Sequence, residues 1–209
     1  MAKLGVNPST IQVIVLSHIH GDHTWSLDAV LDAVHNVTVY LPASFPSSFK
    51  ANVERHGSRV VEVRQAVKIC DCAASTGVLG NGIEEQSLIV KTGEGLVVVT
   101  GCAHPGVVKI VREAKELTGE EVHLVLGGFH LVSRSEEEIA YVVSEMRGLG
   151  VGKVAPCHCS GDTPRRLFRE TFGADYKSES AGFYSLETSS EEFPRGSLKE
   201  GSTFVPSAG

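Results

Sequence analysis

Along the chain, short continuous apolar runs alternate with stretches whose apolar residues recur at helical spacing. Residues 11–16 (IQVIVL) form a compact apolar run and predict a buried strand, whereas 25–34 (WSLDAVLDAV) has the periodicity of an amphipathic helix. Residues 37–41 predict a second strand, 44–54 a helix and 60–63 a short strand. The stretch 65–83, rich in Gly, Ala and Ser, predicts loop with short strands. Residues 87–91 and 96–100 flank the turn Gly93-Glu94-Gly95 and predict a hairpin. Helices are expected at 107–117, at 136–149, where an acidic first turn suits the helix dipole, and at 163–172. Strands are expected at 122–126, 151–155 and 182–186. No internal repeat is visible, and the alternation predicts one layered α/β domain over residues 1–187. From 188 to 209 the chain is Ser, Glu, Gly and Pro with few apolar residues, which predicts a disordered tail.

Composition narrows the class. The chain has 209 residues, 42% hydrophobic and 21% charged, as expected of a globular domain. Its net charge of −6 argues against a broad nucleic-acid footprint. No apolar run approaches the ~20 residues that cross a bilayer, and the first ten residues lack the apolar core of a signal peptide. The five cysteines, an odd number, fit a reducing compartment, so a cytoplasmic location without membrane contact is expected.

The chemistry concentrates at strand ends. The first apolar run leads into Ser17-His18-Ile19-His20-Gly21-Asp22-His23-Thr24, which holds three imidazoles and a carboxylate. His18 and His20 are two apart and share a face on an extended backbone. Asp22 and His23 follow a glycine that turns the chain, so they can approach from another side and serve a second ion. These are the borderline donors that bind divalent metals. Three more histidines, His104, His130 and His158, each follow an apolar strand and a glycine or proline. Strands of one sheet deliver such loops to a common edge, where α/β folds build their sites.

The run His18-Ile19-His20-Gly21-Asp22-His23, with His104 and His158, resembles the metallo-β-lactamase superfamily of metal-dependent hydrolases. TGCAHPG at 100–106, GGFHL at 127–131 and HCSG at 158–161 resemble its dihydropterin-6-methyl-(ribofuranosyl)aminobenzene phosphate synthase branch. The resemblance spans residues 4–187 and implies an αββα sandwich with a dinuclear site at one edge. It implies that His18, His20 and His104 hold one metal and that Asp22, His23 and His158 hold the other. The implied cofactors are two divalent ions, with zinc ahead of manganese or iron. The implied reaction is attack by metal-bound hydroxide on an ester, lactone, thioester or phosphodiester of a small-molecule substrate. Asp22 would orient the nucleophile and His130 would protonate the leaving group. Two alternatives remain open: a di-iron or mononuclear-iron oxidoreductase on the same fold, and a truncated metal-binding protein without catalysis.

The chain departs from the family in two ways. The interval after His104 offers His130 at a strand end where relatives carry a bridging carboxylate. Only 17 residues precede His18, so the sandwich is expected to lack its N-terminal strands and to form a homo-oligomer that covers the gap.

Other residues carry weaker signals. The pairs Cys70/Cys72 and Cys157/Cys159 could hold a structural zinc, but ordinary free thiols are favoured. His35, His56 and His123 have no ligand-type neighbours and read as ordinary surface or core residues. Glu84-Glu85-Gln86 reads as a solvated entrance to a strand, and Trp25 as a core residue. Gly101, Gly127 and Gly128 are expected to allow close turns around the metals.

Overall fold

The structure of the chain, a computed structural model, describes residues 7–34, 36–178, 188–189, 193 and 198–200. The strand expected at 182–186, and His35, lie outside the described residues.

A smaller sheet forms from β1 (Val13–Val15), β2 (Thr38–Pro42) and β3 (Arg59–Val63), which are parallel and in that order. After β1 the chain passes through the one-turn helix α1 (Gly21–Thr24) and α2 (Leu27–Ala33), and α3 (Ser47–Arg55) joins β2 to β3. These helices cover one face of the sheet, where Leu27, Leu31 and Val53 pack with Val39 and Leu41.

The larger sheet has the order β10-β4-β5-β6-β7-β8-β9. Its strands are β4 (Gln65–Cys70), β5 (Ala73–Gly77), β6 (Leu88–Thr92), β7 (Gly95–Thr100), β8 (Val122–Gly128), β9 (Lys153–Cys157) and β10 (Lys199–Glu200). The helices α4 (Val107–Thr118), α5 (Glu136–Gly148) and α6 (Asp162–Phe172) join or follow its parallel half. Their apolar residues Ile110, Ile139, Met146 and Phe168 bury the outer face with Ile89, Leu96 and Val98. The α5 helix starts with a capping box: the Ser135 side chain accepts from Glu138 N–H and Glu138 accepts from the Ser135 backbone.

Between the sheets, Tyr40 and Val63 meet Val67 and Ile69, with Val13, Val15, Val61, Ala73 and Leu88 around them. The layers therefore run helix, sheet, sheet, helix. The smaller sheet holds only three described strands, with β1 at its edge.

The structure differs from sequence expectation at three places. The 65–83 stretch, read as loop with short strands, is more regular than that and contains the β4–β5 hairpin. Its small residues belong to a strand with Ala74, Ser75, Thr76 and Gly77 buried. Trp25 is 86% exposed and not in the core, because its indole lies over Gly21, where an added Cβ would stand 2.2 Å from the ring. Against the expected disorder beyond 188, several described residues there are anchored. Thr188 bridges Thr92, Phe193 is buried in the outer core, and β10 pairs with β4. No helix among the described residues is long and apolar enough to cross a membrane.

Candidate metal centre

Four strand ends deliver the site. β1 ends at Val15 and leads to His18 and His20; Gly21 then starts α1, which carries Asp22 and His23. β7, β8 and β9 are parallel neighbours, with Thr100 opposite Gly127 and Gly128 opposite Cys157. Their ends therefore bring His104, His130 and His158 to one edge.

The loops are tight. Thr100 Oγ1 donates to the Gly128 carbonyl, 2.8 Å. Gly127 has φ +125°, and an added Cβ would meet the Thr100 carbonyl at 2.2 Å; at Gly101 it would meet Ser17 Oγ at 2.2 Å. Of the four described non-glycine residues with positive φ, three are here: Ala103 (62°), His130 (52°) and His158 (49°). Backbone strain of this kind persists where the surroundings over-determine it, and it clusters at functional sites.

The donor atoms of the six predicted ligands fall into two adjoining groups, and a third group among the described residues joins His130 to Cys102 and Cys159. His18, His20 and His104 form the first, with ring centroids 4.6–4.9 Å apart. Asp22, His23 and His158 meet in the second, together with Cys102. There His158 Nε2 is 3.1 Å and His23 Nε2 3.4 Å from Asp22 Oδ2, and the two Nε2 atoms are 3.2 Å apart. Only 4.3 Å separates the ring centroids of His18 and His23, so the groups are neighbours. The sequence-predicted set is thus assembled at one edge. His130 lies to one side, its ring centroid 4.5 Å from that of His104.

Glu85 organises the first group and is not the solvated residue that its sequence context suggested. It is 1% exposed. Its Oε1 accepts from the backbone N–H groups of Cys102 and Ala103, at 2.9 and 2.8 Å. Its Oε2 accepts from His104 N–H at 2.9 Å and from His104 Nδ1 at 2.8 Å. A carboxylate only accepts, so Nδ1 of His104 carries the proton and Nε2 keeps its lone pair. Burial pulls the Glu85 carboxyl upward, but the hydrogen bonds from His104 and Ala103 and the nearby His18 outweigh it and hold it below the ordinary range.

Three of the imidazoles are shifted toward the neutral form. Burial, reinforced by neighbouring histidines and opposed by Glu85, pushes His18 down to about 4. Burial likewise lowers His23 and His130. At Asp22 burial acts upward, but His23, its own backbone N–H and His158 prevail and keep it ionised.

These residues fit a divalent cation. His18 is fully buried and its Nε2 has no hydrogen-bond partner among the described residues, although its Nδ1 lies 3.1 Å from Ser17 Oγ. A buried polar atom without a partner is costly unless something binds it. Beside the donors a cavity of about 510 Å³ is lined by His104, His130, Phe129, Leu131, Arg134 and Tyr141.

Other expected candidates lie elsewhere. Cys70 and Cys72 have their sulfurs 3.7 Å apart and belong to none of the donor groups among the described residues. His56 is held by Asp28 and Asp32, and His123 by Lys153 and Glu94.

The sequence model of the Metallo-beta-lactamase superfamily matches residues 1–158. The chain is 28% identical over 227 residues to the 7,8-dihydropterin-6-methyl-4-(beta-D-ribofuranosyl)-aminobenzene-5'-phosphate synthase of Methanocaldococcus jannaschii. That alignment covers 87% of this chain and 77% of the relative. An uncharacterized protein of the same organism is 35% identical over 65 residues, 31% of this chain and 24% of its own. Among solved structures, a metal-dependent hydrolase of the beta-lactamase superfamily superposes with a TM-score of 0.66 at 26% identity, covering 81% of this chain and 77% of that one. The metallo-beta-lactamase fold protein YhfI of Bacillus subtilis superposes with a TM-score of 0.57 at 14% identity, covering 82% and 76%, which speaks to the fold alone.

Proposed function

The chain belongs to the metallo-beta-lactamase superfamily, and from that premise we propose that it is a metal-dependent hydrolase of a small-molecule ester, lactone, thioester or phosphodiester. The observation that carries this reading is the meeting of two donor groups, one of three imidazoles and one of imidazole and carboxylate, beside a cavity of about 510 Å³. His18, His20 and His104 would hold one divalent cation, and Asp22, His23 and His158 a second. Zinc suits this mixed nitrogen and oxygen set. Cations held there supply Lewis acidity, which polarises a substrate oxygen and makes water acidic enough to react near neutral pH.

The chain's own groups do the rest. Ionised Asp22 faces His23 and His158 and can orient the water that attacks. His130, on the cavity wall and held neutral, can accept that water's proton and hand it to the departing oxygen. The buried side chains of Phe129 and Leu131 give the same wall an apolar patch against which a substrate can pack.

A second reading has one specific support: a relative whose alignment covers 87% of the chain is named as a synthase. Metal analysis of purified, zinc- or manganese-loaded protein, followed by a panel of aryl esters, lactones, thioesters and phosphodiesters, tests both. Hydrolysis that is abolished by a chelator and restored by metal is the expected result. Stoichiometric metal with no hydrolysis of any member would favour the synthase. Protein that binds less than about half an equivalent of metal would overturn the metal-dependent reading altogether.

A further inference from the structure

The second donor group has a fourth member that the metal-dependent reading does not use. Cys102 is 4% exposed, and its Sγ stands 3.2 Å from His23 Nε2. The donor atoms of Asp22, His23, Cys102 and His158 all lie within 4.8 Å of one another. Four tetrahedral ligands at about 2.0–2.3 Å from a common centre stand about 3.3–3.8 Å apart. Four separations in this group, 3.1, 3.2, 3.2 and 3.4 Å, are close to that spacing.

The placement of the sulfur is fixed from the backbone. Cys102 N–H donates to Glu85 Oε1, and Gly101 before it fits against Ser17 with no room for a Cβ. The other nearby thiol, Cys159, interacts with the Cys102 side chain and shares a donor group with it, but it does not belong to the group of Asp22, His23 and His158. Its Sγ also lies near His130 and donates to the Cys102 carbonyl at 3.6 Å.

We propose that Cys102 Sγ is a metal ligand, completing with Asp22, His23 and His158 a four-donor site whose ion is bound by a thiolate as well as by imidazole and carboxylate. On cation binding the S–H bond breaks, the proton leaves to solvent and the sulfur lone pair forms the metal–sulfur bond; nothing is oxidised or reduced. A thiolate biases this site toward zinc, cobalt or cadmium and away from magnesium and manganese. The His18, His20 and His104 group, with three imidazoles and no sulfur, carries no such bias. The two positions therefore differ in metal preference. The inference rests on the metal-dependent reading and adds a residue to it.

The test is the electronic spectrum of the full chain loaded with Co(II), together with its cobalt content. Wild-type protein should bind cobalt and show a near-ultraviolet thiolate-to-cobalt charge-transfer band. Cys102→Ser should lose that band, whereas Cys159→Ser should keep it. Peptide mapping after alkylation gives a readout that needs no variant: bound cobalt should shield Cys102 from iodoacetamide. Cobalt bound without a thiolate band, or with Cys102 alkylated as fast as in metal-free protein, would overturn the proposal and leave the metal-dependent reading standing. A band lost in Cys159→Ser but kept in Cys102→Ser would also overturn it. Failure of wild-type protein to bind cobalt would overturn both.

Discussion

At the scale of single residues, the site is a balance between burial, which favours neutral imidazole, and Glu85, which supplies a charge that fixes their orientation. Glu85→Gln keeps the shape but turns one accepting oxygen into a donor that cannot pair with the N–H groups it faces. Loss of such an outer partner weakens metal binding by about 10–100-fold, and competition with a chromophoric chelator should show it. Asp22→Ala should remove nearly all turnover. His130→Ala should cost about 10²–10⁴-fold, as expected for a proton-transfer group; if it also loses a metal equivalent, His130 is a ligand and not a proton carrier. A pH dependence follows from His18. The unfolded chain takes up a proton at the ordinary histidine value of 6.5, the folded chain only near 4. Between these values the unfolded state binds more protons, so stability rises with pH. It is fully present above 6.5 and is lost as pH falls from 6.5 toward 4. The denaturation midpoint of metal-free protein should therefore drop between pH 7 and pH 5. A flat profile would show that His18 is not neutral and buried.

At the scale of elements, the two sheets are joined just where the first ligand strand ends. Gln86 is fully buried ahead of β6; its Nε2 donates to the Leu16 and Tyr40 carbonyls at the ends of β1 and β2, while Ser75 on β5 donates to its Oε1. Gln86→Leu would take these partners from the Ser75 hydroxyl and the Leu16 carbonyl, while the Tyr40 carbonyl keeps the Leu16 N–H, at about 1–3 kcal/mol for each buried group left unsatisfied. A lower urea midpoint with an unchanged slope is the expected outcome. Weaker metal binding should accompany it, since the Leu16 carbonyl that loses the Gln86 side-chain amide lies two residues before His18. The elements that carry His18, His20, Asp22, His23, His104 and His158 were legible in the sequence because each candidate group follows an apolar run at a strand end, with a glycine or proline close by. Helices α4, α5 and α6 were legible for a similar reason, their apolar positions falling on one face. Glu85 and Cys102 were not. Glu85 pairs with backbone N–H groups 17–19 residues away, brought to it by the pairing of β6 with β7. No spacing of residue types records such a contact. The β4–β5 hairpin was hidden because its buried positions are filled by Ala, Ser, Thr and Gly, which also suit loops.

At the scale of the whole molecule, the inter-sheet core is unevenly shared. The three strands of the smaller sheet pack against β4, β5 and the start of β6. The inner face of the larger sheet continues past them through Val97, Leu124 and Ala155, rimmed by the partly exposed Val90, Val99 and Leu126. β1 stands at the edge of the smaller sheet with no strand on its free side among the described residues. An open strand edge beside an apolar face favours pairing with another chain. Each 100 Å² of apolar surface covered contributes about 2.5 kcal/mol, so a few hundred Å² compares with the ~5–15 kcal/mol that holds a domain folded. The occupant expected here is a second copy of this chain. Light scattering at micromolar concentration should return a dimer or a larger species, and Val90→Lys, which places a charge on the rim, should shift it toward monomer. A wild-type chain that scatters as a monomer and unfolds cooperatively at the same concentration would show that the face is covered from within, the anchored segment around Phe193 and β10 being the first place to look.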